Sequence, residues 1–185
     1  MRRLTDLMPS GCGPSQQFMR ITRGEAAGLT IGLIPKAGLT SIRDAIWPDY
    51  AEKVMRSEAK DKQTPVRIYI REPLCRLVSA FRFLLTNYRP RPVPAGCTFE
   101  QFIDLVLDWP DRTNSHWRPQ VAWFDEYNVT EIYQFERIAD TWPDYIPLGH
   151  LNCSPASTPV PVLGYRLDEI NAYYADDSCI WRNSA

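Results

Sequence analysis

The chain of 185 residues has five cysteines, Cys12, Cys75, Cys97, Cys153 and Cys179, and none forms a Cys-x-x-Cys pair. An odd number at scattered positions indicates neither a disulfide framework nor a zinc site, and predicts reduced thiols in a cytoplasmic protein. Net charge is nearly absent, at -1, which argues against a general nucleic-acid binder. No apolar run approaches membrane-spanning length, so no membrane anchor is expected. The opening Met1-Arg2-Arg3 leads to Asp6 and Pro9 rather than to an apolar core, so no signal peptide is expected either. Histidine is scarce, with only His116 and His150. There is no internal repeat and no visible domain boundary.

What is present is ordinary for a globular chain: 44% hydrophobic and 23% charged residues. That length supports one domain with a full core. Positive charge is concentrated. Residues 66–91 hold Arg67, Arg71, Arg76, Arg82, Arg89 and Arg91 against the single acid Glu72, whereas the tail carries Asp168, Glu169, Asp176 and Asp177 against Arg182. A local basic surface on a neutral protein points to a small anionic ligand.

The most informative stretch is Leu29–Trp47. Leu29 to Ile34 is apolar and β-branched, which predicts a buried strand. Pro35 ends it, Lys36, Ala37, Gly38, Leu39, Thr40 and Ser41 form a polar loop, and Ile42, Ala45 and Ile46 recur at helical spacing. A strand, a loop and a helix N-terminus together present backbone N–H groups and a favourable dipole to an anion. The loop is not a Walker A motif, because Leu39 follows Gly38 and the only lysine precedes it. A solvated lysine on an ordinary strand–helix corner is the alternative.

Downstream, Ala51–Thr64 is strongly charged and predicts an exposed helix. Val66–Ile70 alternates as a strand, which completes a βαβ unit and hence a parallel sheet. Pro73 opens a helix whose stripe is Leu74, Leu77, Val78, Phe81, Leu84 and Leu85. Tyr88–Gly96 is loop, Thr98 and Gln101 form a capping box, and Phe99, Phe102, Ile103, Val106 and Leu107 line the next helix. A short helix from Pro119 to Asp125, a third strand from Val129 to Phe135, a short helix from Glu136 to Trp142, a Pro/Ser-rich loop from Pro147 to Leu163 and a last helix from Arg166 to Tyr174 complete the pattern. Residues 1–28, rich in Gly, Ser and Arg, read as a poorly ordered lead-in with a possible edge strand at Met19–Thr22. Residues 29–185 then form one α/β domain with a central parallel sheet flanked by helices.

The loop Pro35-Lys36-x-Gly38-x-Thr40-Ser41 resembles the 5′-phosphosulfate loop of sulfotransferases, enzymes that use PAPS (3′-phosphoadenosine 5′-phosphosulfate). Arg71-x-Pro73-x-x-Arg76-Leu-Val-Ser79-Ala-Phe is similar to the 3′-phosphate motif of the same family. Asn114-Ser115-His116-Trp117-Arg118-Pro119-Gln120 resembles a segment of the carbohydrate, Golgi-type members. Weaker echoes are Val129–Glu136, ending in Phe-Glu, Leu148–Ser154, and Ile170–Trp181 with its acidic turn.

The resemblance implies a P-loop-like sulfotransferase fold, PAPS as donor with PAP as product, no required metal, and a hydroxyl acceptor on a small molecule or glycan. It assigns Lys36, Ala37, Gly38, Leu39, Thr40 and Ser41 to the 5′-phosphosulfate, and Arg71 and Ser79 to the 3′-phosphate. In-line transfer needs a base, and His116 is the first candidate, with His150 the second. A structural loop histidine, a surface ion pair for Arg71 and a hydroxyl bonded to its own helix for Ser79 remain open. So do two other functions: an atypical nucleotide-dependent phosphotransferase, and a nucleotide-binding module with reduced catalysis. Trp109, Trp117, Trp123, Trp142 and Tyr173 could stack on sugar rings, although core is the default for aromatics.

Overall fold

The computed structural model describes residues 17–59, 64–87, 93–94, 96–108, 114–124, 127–149 and 164–185. Strands β1 (Gln17–Ile21), β2 (Thr30–Leu33), β3 (Ala51–Val54), β4 (Val66–Ile70) and β5 (Val129–Gln134) form one sheet in the order β3-β1-β2-β4-β5. β2, β4 and β5 run parallel, as the βαβ spacing predicts. β1 is antiparallel to both β2 and β3, so the parallel core continues into an antiparallel margin.

Two expectations are corrected there. Met19–Thr22, read as an edge, overlaps β1, which ends at Ile21 and lies inside the sheet. Ala51–Thr64, read as an exposed helix, begins as β3 and continues into the short helix α2 (Arg56–Ala59) before it leaves the described residues. The charge that suggested a solvated helix serves an edge strand. Glu52 and Lys53 face solvent, Ala51 and Val54 are buried, and Glu52 lies opposite Arg20, 3.7 Å from its guanidinium. Pairing with β1 outweighs local propensity.

Both faces of the sheet are covered, and residue alternation sorts the two cores. On one side Met19, Ile21, Ile31, Leu33 and Tyr69 pack with Ile42 and Ile46 of α1 (Leu39–Ile46) and Ile138 of α5 (Ile138–Thr141). On the other, Phe18, Val66, Ile68 and Ile70 pack with Trp123 and Tyr127, and with Ile180 and Trp181 of α7 (Ala175–Asn183). Each fully buried Ile contributes about 1.5–3 kcal/mol. A third cluster joins α3 (Pro73–Asn87), α4 (Phe99–Asp108) and α6 (Leu167–Tyr173) through Leu77, Phe81, Leu84, Phe102, Ile103, Trp117, Ile170 and Tyr174.

The capping box forms as expected. The Thr98 N–H donates to Gln101 Oε1 at 3.0 Å, and the Gln101 N–H donates to Thr98 Oγ1 at 3.3 Å. The helix expected over Pro119–Asp125 is a 3-10 turn, Gln120–Trp123, and the acidic turn after Tyr174 is the first turn of α7. Residues 1–16, most of Tyr88–Gly96 and His150–Leu163 lie outside the described residues.

Candidate active site

The carboxyl ends of β2, β4 and β5 meet at one place, where open α/β sheets bind ligands. After β2 the chain turns through Lys36 (φ 67°) and Gly38 (φ 81°) into α1. Gly38 needs its missing side chain twice over. Its backbone is left-handed, and a Cβ there would lie 2.1 Å from the Phe135 ring at the end of β5. Gly38 is the N-cap of α1 without a side-chain cap, and no acid occupies the first turn. The N–H groups of Leu39, Thr40 and Ser41 therefore begin a helix that carries neither a capping side chain nor a competing carboxylate, a fit for an anion. Ala37 is buried with its N–H on Ile34 O, Thr40 is exposed, and Leu39 and Ser41 are half-buried.

Arg71 follows β4. Its guanidinium stands 6.0 Å from the Phe135 ring centroid and 3.8 Å from the Glu136 carboxylate, and its buried Nε has no hydrogen-bond partner. That Nε is the atom that faces Glu136 Oε1 at 3.8 Å, so the guanidinium is charged and not fully hydrogen-bonded, with donors left for an anion. Gln120 fixes the Arg71 backbone from both sides: its Oε1 accepts the Arg71 N–H at 3.0 Å and its Nε2 donates to Arg71 O at 2.8 Å. Glu136 Oε1 accepts the Glu72 N–H, and its Oε2 accepts Trp181 Nε1–H. Ser79 is half-buried further along α3, and no hydrogen bond joins it to Arg71.

Lys36 and His116 come together on Phe83 of α3. Lys36 Nζ lies 3.2 Å from the ring centroid, and the imidazole stacks on the same residue at 5.3 Å and 20°. Burial, then the charges of Arg76 and Arg71, lowers the Lys36 pKa to about 8. Burial, then Lys36 and Arg76, lowers that of His116 to about 4, so the ring is neutral at pH 7. Asn114 Oδ1 receives the His116 backbone N–H at 3.0 Å, and backbone N–H can only donate, so the amide orientation is determined. The same oxygen lies 3.1 Å from Nδ1. Nδ1 therefore carries the proton, and Nε2 carries the lone pair that a base requires.

Lys36, Arg71 and His116 thus share one electrostatic neighbourhood, and Phe135 joins the Gly38 turn to Arg71. Residues that the motifs include without giving them a role complete it. Arg76 is fully buried, Gln120 clamps Arg71, and Asp177 Oδ1 and Oδ2 accept the Val121 and Gln120 N–H groups at 2.9 and 2.7 Å. The available signal was position. Arg76 shares the buried face of α3 with Ala80 and Leu84, whereas Asp177 is the buried residue of α7.

Trp117, Trp123 and Trp142 are core rather than sugar platforms, Tyr173 is half-buried, and Trp109 and His150 lie outside the described residues. A cleft of about 840 Å³ lined by Gly24, Leu29, Arg67, Trp142 and Tyr145 opens near the opposite ends of β2 and β4, away from these groups. Among the described residues, no three His, Cys, Asp or Glu side chains are grouped to hold a metal ion, and no helix is long and apolar enough to cross a membrane.

A model of the sulfotransferase family matches residues 32–145, more than half of the chain, from within β2 through the Lys36 loop, Arg71, Ser79 and His116. No curated protein and no solved structure matches the chain.

Proposed function

The chain belongs to the sulfotransferase family and is an enzyme of sulfuryl transfer; we propose that its donor is PAPS, its acceptor a hydroxyl of a carbohydrate, and its base His116. The observation that carries the reading is the convergence at the carboxyl ends of the parallel strands of an uncapped helix N-terminus, the half-buried Lys36 ammonium, the Arg71 guanidinium, whose Nε makes no hydrogen bond, and a neutral imidazole. The first three favour a ligand with two separate anionic groups. The fourth stands beside them with Nε2 as acceptor.

PAPS supplies an activated sulfuryl group. The chain supplies position and charge, as in other in-line group transfers. Backbone N–H groups and hydroxyls at Leu39–Ser41 receive the 5′-phosphate. Lys36 neutralises charge that develops on the bridging and leaving oxygens, and Phe83 holds its ammonium out of bulk water. Arg71, with Ser79 along α3, receives the 3′-phosphate. His116 Nε2 takes the acceptor's proton while Asn114 holds Nδ1–H. The carbohydrate assignment is supported by the likeness of Asn114–Gln120 to the carbohydrate sulfotransferases.

Calorimetry with PAP, AMP and ATP tests the donor. PAP is expected to bind most tightly, and Arg71→Ala to erase most of its advantage over AMP, a charge-assisted pair being worth roughly 2–4 kcal/mol when desolvated. Equal affinity of the wild type for PAP and AMP would overturn the assignment.

A further inference from the structure

The Arg76 side chain is fully buried, and among the described residues no carboxylate lies within ion-pairing distance of it. Its guanidinium is spent on three backbone carbonyls. Nε donates to Pro35 O at 3.0 Å, Nη2 to Ser115 O at 3.0 Å, and Nη1 to Arg118 O at 2.9 Å. A buried cation with no carboxylate in direct contact is costly, and it persists only where its hydrogen bonds are made. Here the three acceptors are not arbitrary. Pro35 immediately precedes Lys36, and Ser115 immediately precedes His116. The two segments are otherwise separate pieces of chain, one after β2 and one before the 3-10 turn. Arginine suits the task because its donors form a rigid planar fork, whereas an ammonium is a point.

We propose that Arg76 is a positioning residue that locks the Lys36 loop to the His116 turn, setting the spacing between the donor-side cation and the acceptor-side base. This rests on the PAPS-dependent reading for its catalytic meaning, but the clamp itself is a property of the fold. It also adds charge to the site. Arg76 is among the groups that depress both Lys36 and His116. The groups facing the imidazole are Lys36 and Arg76, and those facing the guanidinium are Tyr173, Tyr174 and Asp177.

The wild type carries the first readout. The Ala37 N–H is held by Ile34 O, and the Trp117 and Arg118 N–H groups by Asn114 O. In native-state hydrogen exchange these three amides should open as one unit, although they belong to separate segments. Opening at clearly different levels overturns the clamp. The second readout is Arg76→Lys, which keeps the charge and loses the fork. It should speed exchange at all three amides by about tenfold or more and leave α4 unchanged. Wild-type rates, acceleration in only one segment, or an even rise across the whole chain would each overturn it. The third is the His116 imidazole titration by NMR, assigned with His150→Gln since the chain has two histidines. The midpoint should stay near 4 in Arg76→Lys and rise in Arg76→Met, by less than the whole depression because burial and Lys36 remain. A folded Arg76→Met protein with an unmoved midpoint would refute the electrostatic half, and should that variant not fold, the Lys variant still decides the clamp. PAP binding by the wild type is measured alongside. Its failure removes the donor assignment and leaves the exchange result standing, so the two can fail separately.

Discussion

The Lys36 loop and the His116 turn sit side by side but are built differently. The loop's backbone turns are made by its neighbours in sequence, and Arg76 ties it to distant chain at Pro35 O, 41 positions away. β2 delivers it, Gly38 turns it, and α1 receives it, with Ala37 N–H on Ile34 O and Ile42 N–H on Gly38 O. The turn begins locally too, with the Trp117 and Arg118 N–H groups on Asn114 O, but distant chain holds it in place. Arg76 reaches Arg118 O across 42 positions, and Tyr174 reaches Trp117 O across 57. Asp177 caps the following 3-10 turn through Gln120, again 57 positions away. A binding loop can be specified by a short motif. A base that must meet a substrate bound to that loop has to be brought to it by tertiary structure.

The sharpest way to break the comparison is to remove each reacting side chain. His116→Ala should cut turnover by roughly 10²–10⁴, the usual contribution of a general base, and leave PAP affinity unchanged. Lys36→Ala should cost about 10²–10³ in turnover, comparable to the loss of one transition-state donor, and weaken PAP binding as well. Loss of PAP affinity in a folded His116→Ala protein would mean that the turn belongs to the donor site, and the division fails.

A pH profile sharpens it further. For the free enzyme, kcat/KM for the donor should rise with pH through about 4, because His116 acts unprotonated, and fall through about 8, because Lys36 acts protonated. The low limb lies well below an ordinary histidine range because burial and the neighbouring cations disfavour the imidazolium. His116→Ala should delete only the lower limb. A lower limb that persists in this variant would assign it to another group.

Gly38→Ala and Asn114→Ala probe the two architectures. At Gly38 the new Cβ meets Phe135 in a backbone conformation that L residues rarely adopt. The variant should lose about 1–3 kcal/mol of stability and much of its PAP affinity. Asn114→Ala removes the acceptor that fixes the imidazole tautomer. It should lower turnover with PAP affinity intact, and calorimetry on both variants reads the contrast directly.

These differences explain what could be read in the sequence. The parallel strands, α1, α3 and α4 and the Lys36 loop were legible because each is marked by periodicity, a cap or a turn residue within its own segment. β3 was not, because Glu52 and Lys53 read as solvated helix until β1 provides a partner. Arg71 was legible from its place after a strand, whereas Gln120, which fixes its backbone, became visible only in three dimensions. Arg76 is a charged residue on an apolar face, a signal that marks a buried polar group without saying what it holds, whereas Asp177 is the buried residue of α7 and has no such marker.

The smallest expected effect lies at Tyr174, and it tests whether the tail serves the base turn alone. The Tyr174 hydroxyl is buried and donates to Trp117 O at 2.5 Å, and burial raises its pKa well above the ordinary tyrosine range, so it remains a neutral donor. Tyr174→Phe keeps the ring in the cluster with Trp117 and Ile170 and deletes only this bond. The Trp117 carbonyl then loses a buried donor, which costs about 1–3 kcal/mol in stability. The adjacent residue is His116, so a modest fall in turnover should accompany the loss. PAP affinity should not change, because the Lys36 loop receives nothing from Tyr174. Denaturation and calorimetry on this one variant therefore measure both sides. A stability loss with unaltered PAP binding keeps the two regions distinct, while a parallel loss of affinity would show that the tail, through the turn, also supports the donor loop.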